Sequence, residues 1–315
     1  MSERIKTAPI NEYRLPQDTA EALSHLGQIL ELPHRFEGAD LAPDLVARYR
    51  RELYKEVPGI AELHQAMEAA LDPYGRGPGY IIIDGLPEAE GPRDHVVPTA
   101  ISTLAGTPLN IAPGMGFWQE LGVDLSLEEF RFGGIGTNPM HIDLVTATEP
   151  PDMLTFYSKR TDPQGGGINL LSSTQQLVKE LSPEEIALLQ EPRFSEGRWF
   201  NLLGVGERID PFPILEERPD GLWWVRFTGK MIATEALLTS MRDQHGAEIT
   251  DLLVKIGTIL ERNSTQVLLG PQKQLIASQI LLAHGRQPLG KSQEVVPAPK
   301  RRLIWQSYIS RQVAV

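Results

Sequence analysis

The chain has 315 residues, 41% hydrophobic and 23% charged, an ordinary balance for a protein that buries a sizeable core. A formal charge of -11 argues against a nucleic-acid backbone or an anionic membrane as the main partner, since both repel it at long range, and points to a small molecule. With no cysteine, disulfides, thiolate nucleophiles, iron–sulfur clusters and thiolate zinc sites are excluded, so any metal must be held by His, Asp or Glu.

The N-terminus, MSERIKTAPINEYRLP, lacks the basic-then-apolar pattern of a secretory signal, and no apolar run is long enough to span a bilayer; the expectation is a cytoplasmic protein. Residues 17 to 70 read as helical, with Leu23, Leu26, Ile29 and Leu30 at helical spacing. A cluster of breakers, Asp72-Pro73-Tyr74-Gly75-Arg76-Gly77-Pro78-Gly79, ends this layer, and residues 80 to 87 then read as a strand and turn. A helix is expected from His95 to Leu104. From about Phe130 short β-like runs alternate with Gly/Pro turns: 153–157, 168–171, 221–227, 267–269, 274–282 and 302–309. Helical inserts at 173–190 and 234–261 interrupt them, the first containing Ser182-Pro183-Glu184-Glu185, a good cap. The expectation is one α+β catalytic domain over 1–315, with a mainly helical layer at 1–79 and a sandwich or barrel with helical inserts over 80–315.

Chemistry concentrates at Asn138-Pro139-Met140-His141-Ile142-Asp143. On an extended strand, residues two apart face the same side, so His141 and Asp143 can point at one metal. About one such pair is expected by chance from 7 His and 41 acidic residues, so a third ligand has to carry the argument. His284 is the choice, because it follows the β-compatible run from Leu275 to Ala283 and precedes a turn-like Gly285-Arg286-Gln287-Pro288. Two His and one carboxylate leave metal positions open for reactants. His25 and His64 lie in amphipathic helical segments; His34, His95 and His245 sit among polar, Pro or Gly neighbours and read as surface positions. Downstream, Arg302 opens a strand from which its guanidinium can grip a dicarboxylate with two parallel hydrogen bonds; Arg301 is the fallback, and a basic surface cluster is the bland alternative.

The succession His141-Ile142-Asp143, Gly166-Gly167-Ile168-Asn169-Leu170-Leu171-Ser172-Ser173, His284-Gly285-Arg286 and Arg302 resembles the taurine dioxygenase and clavaminate synthase-like superfamily of iron(II)/2-oxoglutarate oxygenases, over roughly residues 80 to 310. The resemblance implies a double-stranded β-helix, a jelly-roll core with flanking helices. It implies Fe(II) on His141, Asp143 and His284, with 2-oxoglutarate and O2 as co-substrates, Arg302 on the distal carboxylate and Asn169 assisting where the family usually has Thr. The carboxylate ligand favours hydroxylation over halogenation. Gln306 stands where some members carry a second, substrate-binding arginine, which points to a neutral or zwitterionic substrate.

For that substrate the candidates are Trp118 and Gln119, in a loop comparable to one that holds a substrate-binding Gln in similar enzymes, and Thr137 and Asn138 before the first ligand. Trp118 reads equally well as core, and the segment Leu202 to Glu217 equally well as a lid or a surface loop. The implied activity is hydroxylation of an unactivated C–H bond of an amino acid or small peptide-derived natural product. The alternatives are desaturation, cyclisation or epoxidation by the same cofactor, a metal-binding jelly roll without oxidative turnover, or a zinc hydrolase on the same ligands. Oligomeric state has no signature in the sequence.

Overall fold

Apolar residues at helical spacing define the N-terminal layer. In the structure, a computed structural model that describes residues 11–31, 41–88, 93–110, 116–195 and 208–311, strand β1 (Glu12–Arg14) leads into α1 (Gln17–Ile29), α2 (Pro43–Glu56) and α3 (Ile60–Ala70). Leu23 and Leu26 of α1, Tyr49 and Leu53 of α2, and Leu63 and Met67 of α3 all point into one apolar cluster. The helical stretch is divided where Pro58-Gly59 intervenes: Gly59 takes φ 70°, a left-handed conformation, and a Cβ there would lie 3.1 Å from Thr19 Oγ1.

Next come β2 (Tyr80–Asp84), α4 (Val96–Ala105), β3 (Thr107–Leu109), β4 (Gln119–Gly122), β5 (Asn138–His141), β6 (Met153–Arg160) and β7 (Asn169–Ser173). They are followed by α5 (Thr174–Lys179), α6 (Pro183–Leu189), β8 (Leu215–Glu217), β9 (Trp223–Val225), a 3-10 turn (Gly229–Ile232), α7 (Glu235–His245) and α8 (Ala247–Arg262). The chain closes with β10 (Thr265–Val267), β11 (Gln274–Ser278), β12 (Leu282–Arg286) and β13 (Leu303–Ser310). At the start of α6 the expected cap forms: Ser182 Oγ accepts from Glu185 N while the Glu185 carboxylate accepts from Ser182 N, an arrangement worth about 1 kcal/mol.

The larger sheet runs β1-β2-β11-β6-β13-β3, with β4 also paired to β13; the smaller runs β10-β7-β12-β5; β8 and β9 form a separate pair. Side-chain alternation sorts the layers. In β6, Met153 and Tyr157 join the cluster shared with α1–α4, whereas Leu154 and Phe156 join a second cluster with Leu171 of β7, Val267 of β10 and Leu282 of β12. On the other side of the smaller sheet, Leu170 and Ala283 pack with α5, α6 and α8. Helices, sheet, sheet and helices therefore stack in that order, and the residues carrying chemistry lie between the sheets. This is a mixed α/β fold with several sheets.

The apolar run 274–282, expected as one strand, is split. β11 belongs to the larger sheet and β12 to the smaller, and the turn at 279–281 carries the chain between them. Periodicity records burial but not which sheet receives it, so the break was invisible in a run buried on both sides. No described helix is long and apolar enough to cross a membrane.

Candidate metal centre

β5 pairs with β12 so that His141 faces His284 and Asn138 faces Arg286. Three steps along β5 match two along β12, a β-bulge, and the extra residue turns both Asn138 and His141 inward while Met140 packs outward. Gly285 permits this close approach: a Cβ there would lie 2.8 Å from Met140 Sδ and 3.0 Å from the Asn138 carbonyl. His141 Nδ1 lies 2.7 Å from the Pro139 carbonyl, which only accepts; Nδ1 therefore carries the proton and Nε2 keeps its lone pair for the site.

The strand geometry expected for His141-x-Asp143 does not hold. β5 ends at His141, and Asp143 projects from a turn in which Leu144 has φ 58°. Four contacts fix that turn. Ile142 N donates to Phe227 O (2.9 Å), Asp143 N donates to Gln279 Oε1 (3.1 Å), and the buried Arg226 donates through Nη1 to Val145 O (2.9 Å) and Ala147 O (2.7 Å). Asp143 nonetheless reaches both imidazoles, its Oδ1 lying 3.5 Å from His141 Nε2 and its Oδ2 3.5 Å from His284 Nε2.

One candidate donor atom from each of the three residues lies within 4.8 Å of the others. Metal–ligand bonds of ~2 Å require this kind of convergence. The protonation states also suit a cation. Burial pushes His284 down to about 3, with His141 beside it adding to the effect, and burial followed by Lys230 lowers His141. Both rings are therefore neutral donors. Burial alone would raise Asp143, but His284, His141 and Lys230 together hold it well below the usual carboxylate range, so it is ionised.

Arg302, buried, lines the same pocket as the three ligands and makes no hydrogen bond to any described residue; Gly167, at φ 75°, makes room for it, since a Cβ there would lie 3.2 Å from Arg302 Cδ and Nε. A buried guanidinium without acceptors is costly, and an entering carboxylate removes that cost. Arg301 turns elsewhere, its Nε donating to Val296 O at 3.0 Å. Asn169 lines the pocket, but its Nδ2 donates to Val267 O at 3.3 Å. Asn138 lines it too, with Oδ1 buried and without a partner.

The remaining candidates lie outside the pocket wall. Thr137 is exposed. Trp118 belongs to the core against α4, its Nε1 donating to Thr99 Oγ1 at 2.8 Å, and Gln119 pairs with Gln306 while Leu121, two residues on, forms the wall. Of the segment 202–217, residues 202–207 are outside the described residues; the rest is pinned by Ile209 N to Thr146 O (2.7 Å), by paired backbone bonds between Phe194 and Phe212, and by β8. His34 is also outside the described residues. His95 is no surface residue: it packs against Trp118 and Trp305, the latter with ring centroids 3.9 Å away, and its Nε2 is buried without a partner.

Gln306, read from the sequence only for its bearing on the substrate, and Tyr308, not singled out there, both hold Asp143. Gln306 Nε2 donates to Asp143 Oδ2 (2.7 Å) and to Tyr308 Oη (2.9 Å), and Tyr308 Oη donates to the same Oδ2 (3.0 Å). With Oδ2 held by two donors, Asp143 offers a metal chiefly Oδ1. The signal was available: Arg302, Ile304, Gln306 and Tyr308 alternate onto one face of β13.

No protein-family profile matches the sequence, and no curated protein matches it. Solved structures do. An asparagine oxygenase in complex with Fe(II), 2S,3S-3-hydroxyasparagine and succinate aligns over 96% of this chain and 94% of its own at TM-score 0.69 and 17% identity. A second asparagine oxygenase (AsnO) structure gives TM-score 0.71 at 18% identity, covering 96% and 93%. The non-haem iron oxygenase OrfP in complex with Fe and alpha-ketoglutaric acid gives 0.67 at 16%, covering 96% and 94%. The chain thus has the fold of non-haem iron oxygenases. One of these structures, the asparagine oxygenase complex, was solved with a hydroxylated amino acid bound.

Proposed function

We propose that this protein is an Fe(II)/2-oxoglutarate-dependent dioxygenase that hydroxylates an unactivated C–H bond of an amino acid or small peptide-derived natural product. One observation carries the reading: His141, Asp143 and His284 converge in a pocket that also contains the buried guanidinium of Arg302, which makes no hydrogen bond to any described residue. The similar oxygenase structures hold iron, 2-oxoglutarate or succinate, and hydroxylated amino acids, which supports the same reading. In this reading the two facing sheets form the double-stranded β-helix core of a single catalytic domain acting in the cytoplasm on a neutral or zwitterionic small molecule.

Fe(II), when bound, supplies the redox chemistry that couples decarboxylation of 2-oxoglutarate to succinate and CO2 with delivery of one O2 oxygen to the substrate carbon. The chain's own residues position. His141 Nε2 is presented by the Nδ1 bond to Pro139 O, and Asp143 is oriented by Gln306, Tyr308 and the Gln279 contact to its amide. Arg302 takes the distal carboxylate through charge-assisted hydrogen bonds. Leu121, Phe132, Phe156 and Ile304 give the pocket apolar walls that limit water around the reacting carbon.

The same centre would serve desaturation, cyclisation or epoxidation, and product mass separates these from hydroxylation. A zinc hydrolase or a metal-binding protein without turnover has no use for the buried Arg302. The test is anaerobic addition of Fe(II) and 2-oxoglutarate to the apoprotein, with His141→Ala as control. A visible charge-transfer band in the wild type alone is expected, and its absence from folded wild-type protein would remove the proposal. A succinate-release screen over amino acids and cyclic dipeptides then identifies the substrate.

A further inference from the structure

We infer that Asp162 is a positioning residue for the co-substrate: its carboxylate, fixed behind the pocket wall, supplies the counter-charge of Arg302 without occupying the N–H groups that the co-substrate needs. The inference rests on the function proposed above and adds a group that acts through Arg302.

Asp162 follows the end of β6, is buried, and lies outside the lining of the pocket. Four donors fill its acceptor positions. Oδ1 accepts from Gln164 N (3.0 Å) and Gln293 Nε2 (2.8 Å), and Oδ2 accepts from Gly166 N (3.1 Å) and Gly290 N (2.6 Å). The carboxylate thereby joins the segment after β6 to the segment after β12. These segments meet at glycine: a Cβ on Gly166 would lie 2.1 Å from Gly290 N, and one on Gly167 would lie 2.9 Å from Leu289 Cδ2 as well as 3.2 Å from Arg302 Cδ and Nε. Gly167 N donates to Pro288 O (2.9 Å) and Gln287 N to Ile168 O (2.8 Å), which closes the seam. Gly167, against which Arg302 packs, therefore sits in a wall that Asp162 holds together.

A counter-charge is needed here. Arg286 and Arg302 are both buried and line the same pocket, and two guanidiniums out of water are costly without an anion nearby. Burial lowers Arg302 to about 9, the charge of Arg286 adds to that, and Asp162 opposes both. Burial alone would raise Asp162, but hydrogen bonds from Gln293, Gln164, Gly290 and Gly166 hold it below the usual carboxylate range, so it is an anion. A direct ion pair would also hold Arg302, but it would occupy the planar fork. With four donors already on it, Asp162 makes no hydrogen bond to Arg302, and the fork is left for an incoming carboxylate.

The test is calorimetric titration of the Mn(II)-loaded protein with 2-oxoglutarate and with 2-oxopentanoate, which has the same chelating head and no distal carboxylate. Wild type should prefer 2-oxoglutarate. Asp162→Asn should weaken 2-oxoglutarate binding about tenfold or more while Mn(II) and 2-oxopentanoate binding stay within about twofold, a selectivity that a general loosening of the fold would not give. In the Arg302→Met background the same substitution should change 2-oxoglutarate binding by less than about twofold, because a residue acting through Arg302 has nothing left to act on. Gln293→Leu removes one donor from the carboxylate; it should give the same selective loss at about threefold, and it provides the reading if Asp162→Asn does not fold. Undiminished 2-oxoglutarate affinity in folded Asp162→Asn, or in Gln293→Leu where the former does not fold, equal losses for both 2-oxo acids, or an additive loss in the double variant would each overturn the inference. Failure of the wild type to bind 2-oxoglutarate, or to prefer it, would instead overturn the function proposed above.

Discussion

His141 and His284 are direct cross-strand partners in the β5–β12 ladder, their ring centroids 4.2 Å apart. Antiparallel pairing brings opposed side chains to ~5 Å, so a single register converts two distant histidines into adjacent donors, and an ion bound between them ties the two strands together. His141→Ala or His284→Ala should each weaken Co(II) binding by more than ~100-fold and abolish the thermal stabilisation that the metal gives the wild type. Calorimetry and metal-dependent melting report both. Retention of wild-type affinity in either variant would remove that residue from the ligand set.

Gln306 and Tyr308 reach the centre through Asp143 Oδ2. Gln306→Leu and Tyr308→Phe should each lower metal affinity by ~10-fold or more and shift the visible bands of the Co(II) protein, since the carboxylate loses its orientation. A purely structural role would lower the melting temperature and leave the Co(II) spectrum unchanged.

Arg302→Lys keeps a charge but loses the planar fork. We expect 2-oxoglutarate binding to weaken by ~10-fold or more in Arg302→Lys and further in Arg302→Met, while Arg301→Met changes it little, because Arg301 faces Val296 O. Anaerobic titration of the charge-transfer band measures this directly.

Stability of the apoprotein should fall in mild acid. Burial, followed by Lys159, pushes His95 down to about 4, and an unfolded imidazole titrates near 6.5. Between those values the unfolded chain binds the extra proton. The contribution is therefore fully present above about pH 6.5 and is lost as pH falls toward 4, with ~2 kcal/mol gone by pH 5. Urea midpoints at pH 7.5, 6 and 5 should decline accordingly. His284 and His141, also lowered by burial, contribute to the same slope, so His95→Phe should reduce it without removing it, and an unchanged slope in that variant would assign the effect to those two.

Gly285→Ala forces a methyl group against Met140 Sδ and the Asn138 carbonyl at the bulge that aims His141. The expected cost is ~1–3 kcal/mol in thermal unfolding, together with weaker metal binding than Gly270→Ala, whose Cβ would meet nothing nearer than Lys273 Cε at 3.5 Å.

The layered α/β texture and the segments bearing the site were legible in the sequence because they depend on local pattern. Helical spacing marks α1–α3, breakers mark the turns, and short β-compatible runs mark β6, β7 and β13. Composition alone restricted any metal to His, Asp or Glu. The motif sequence pointed to His141, Asp143 and His284, which the fold brings together.

Only the tertiary structure decided how they meet. Local spacing placed Asp143 on a strand, whereas long-range contacts from Gln279, Arg226 and Phe227 hold it in a turn. The bulge opposite Gly285, the crossing from β11 to β12, the inward face of Arg302 against the outward Arg301, and the burial of His95 between two tryptophans are all set by residues remote in the chain. Sequence fixes which side chains a segment carries and the period at which they recur. Which neighbour meets each face depends on sheet register and packing, quantities that belong to pairs of segments and are written in neither one alone.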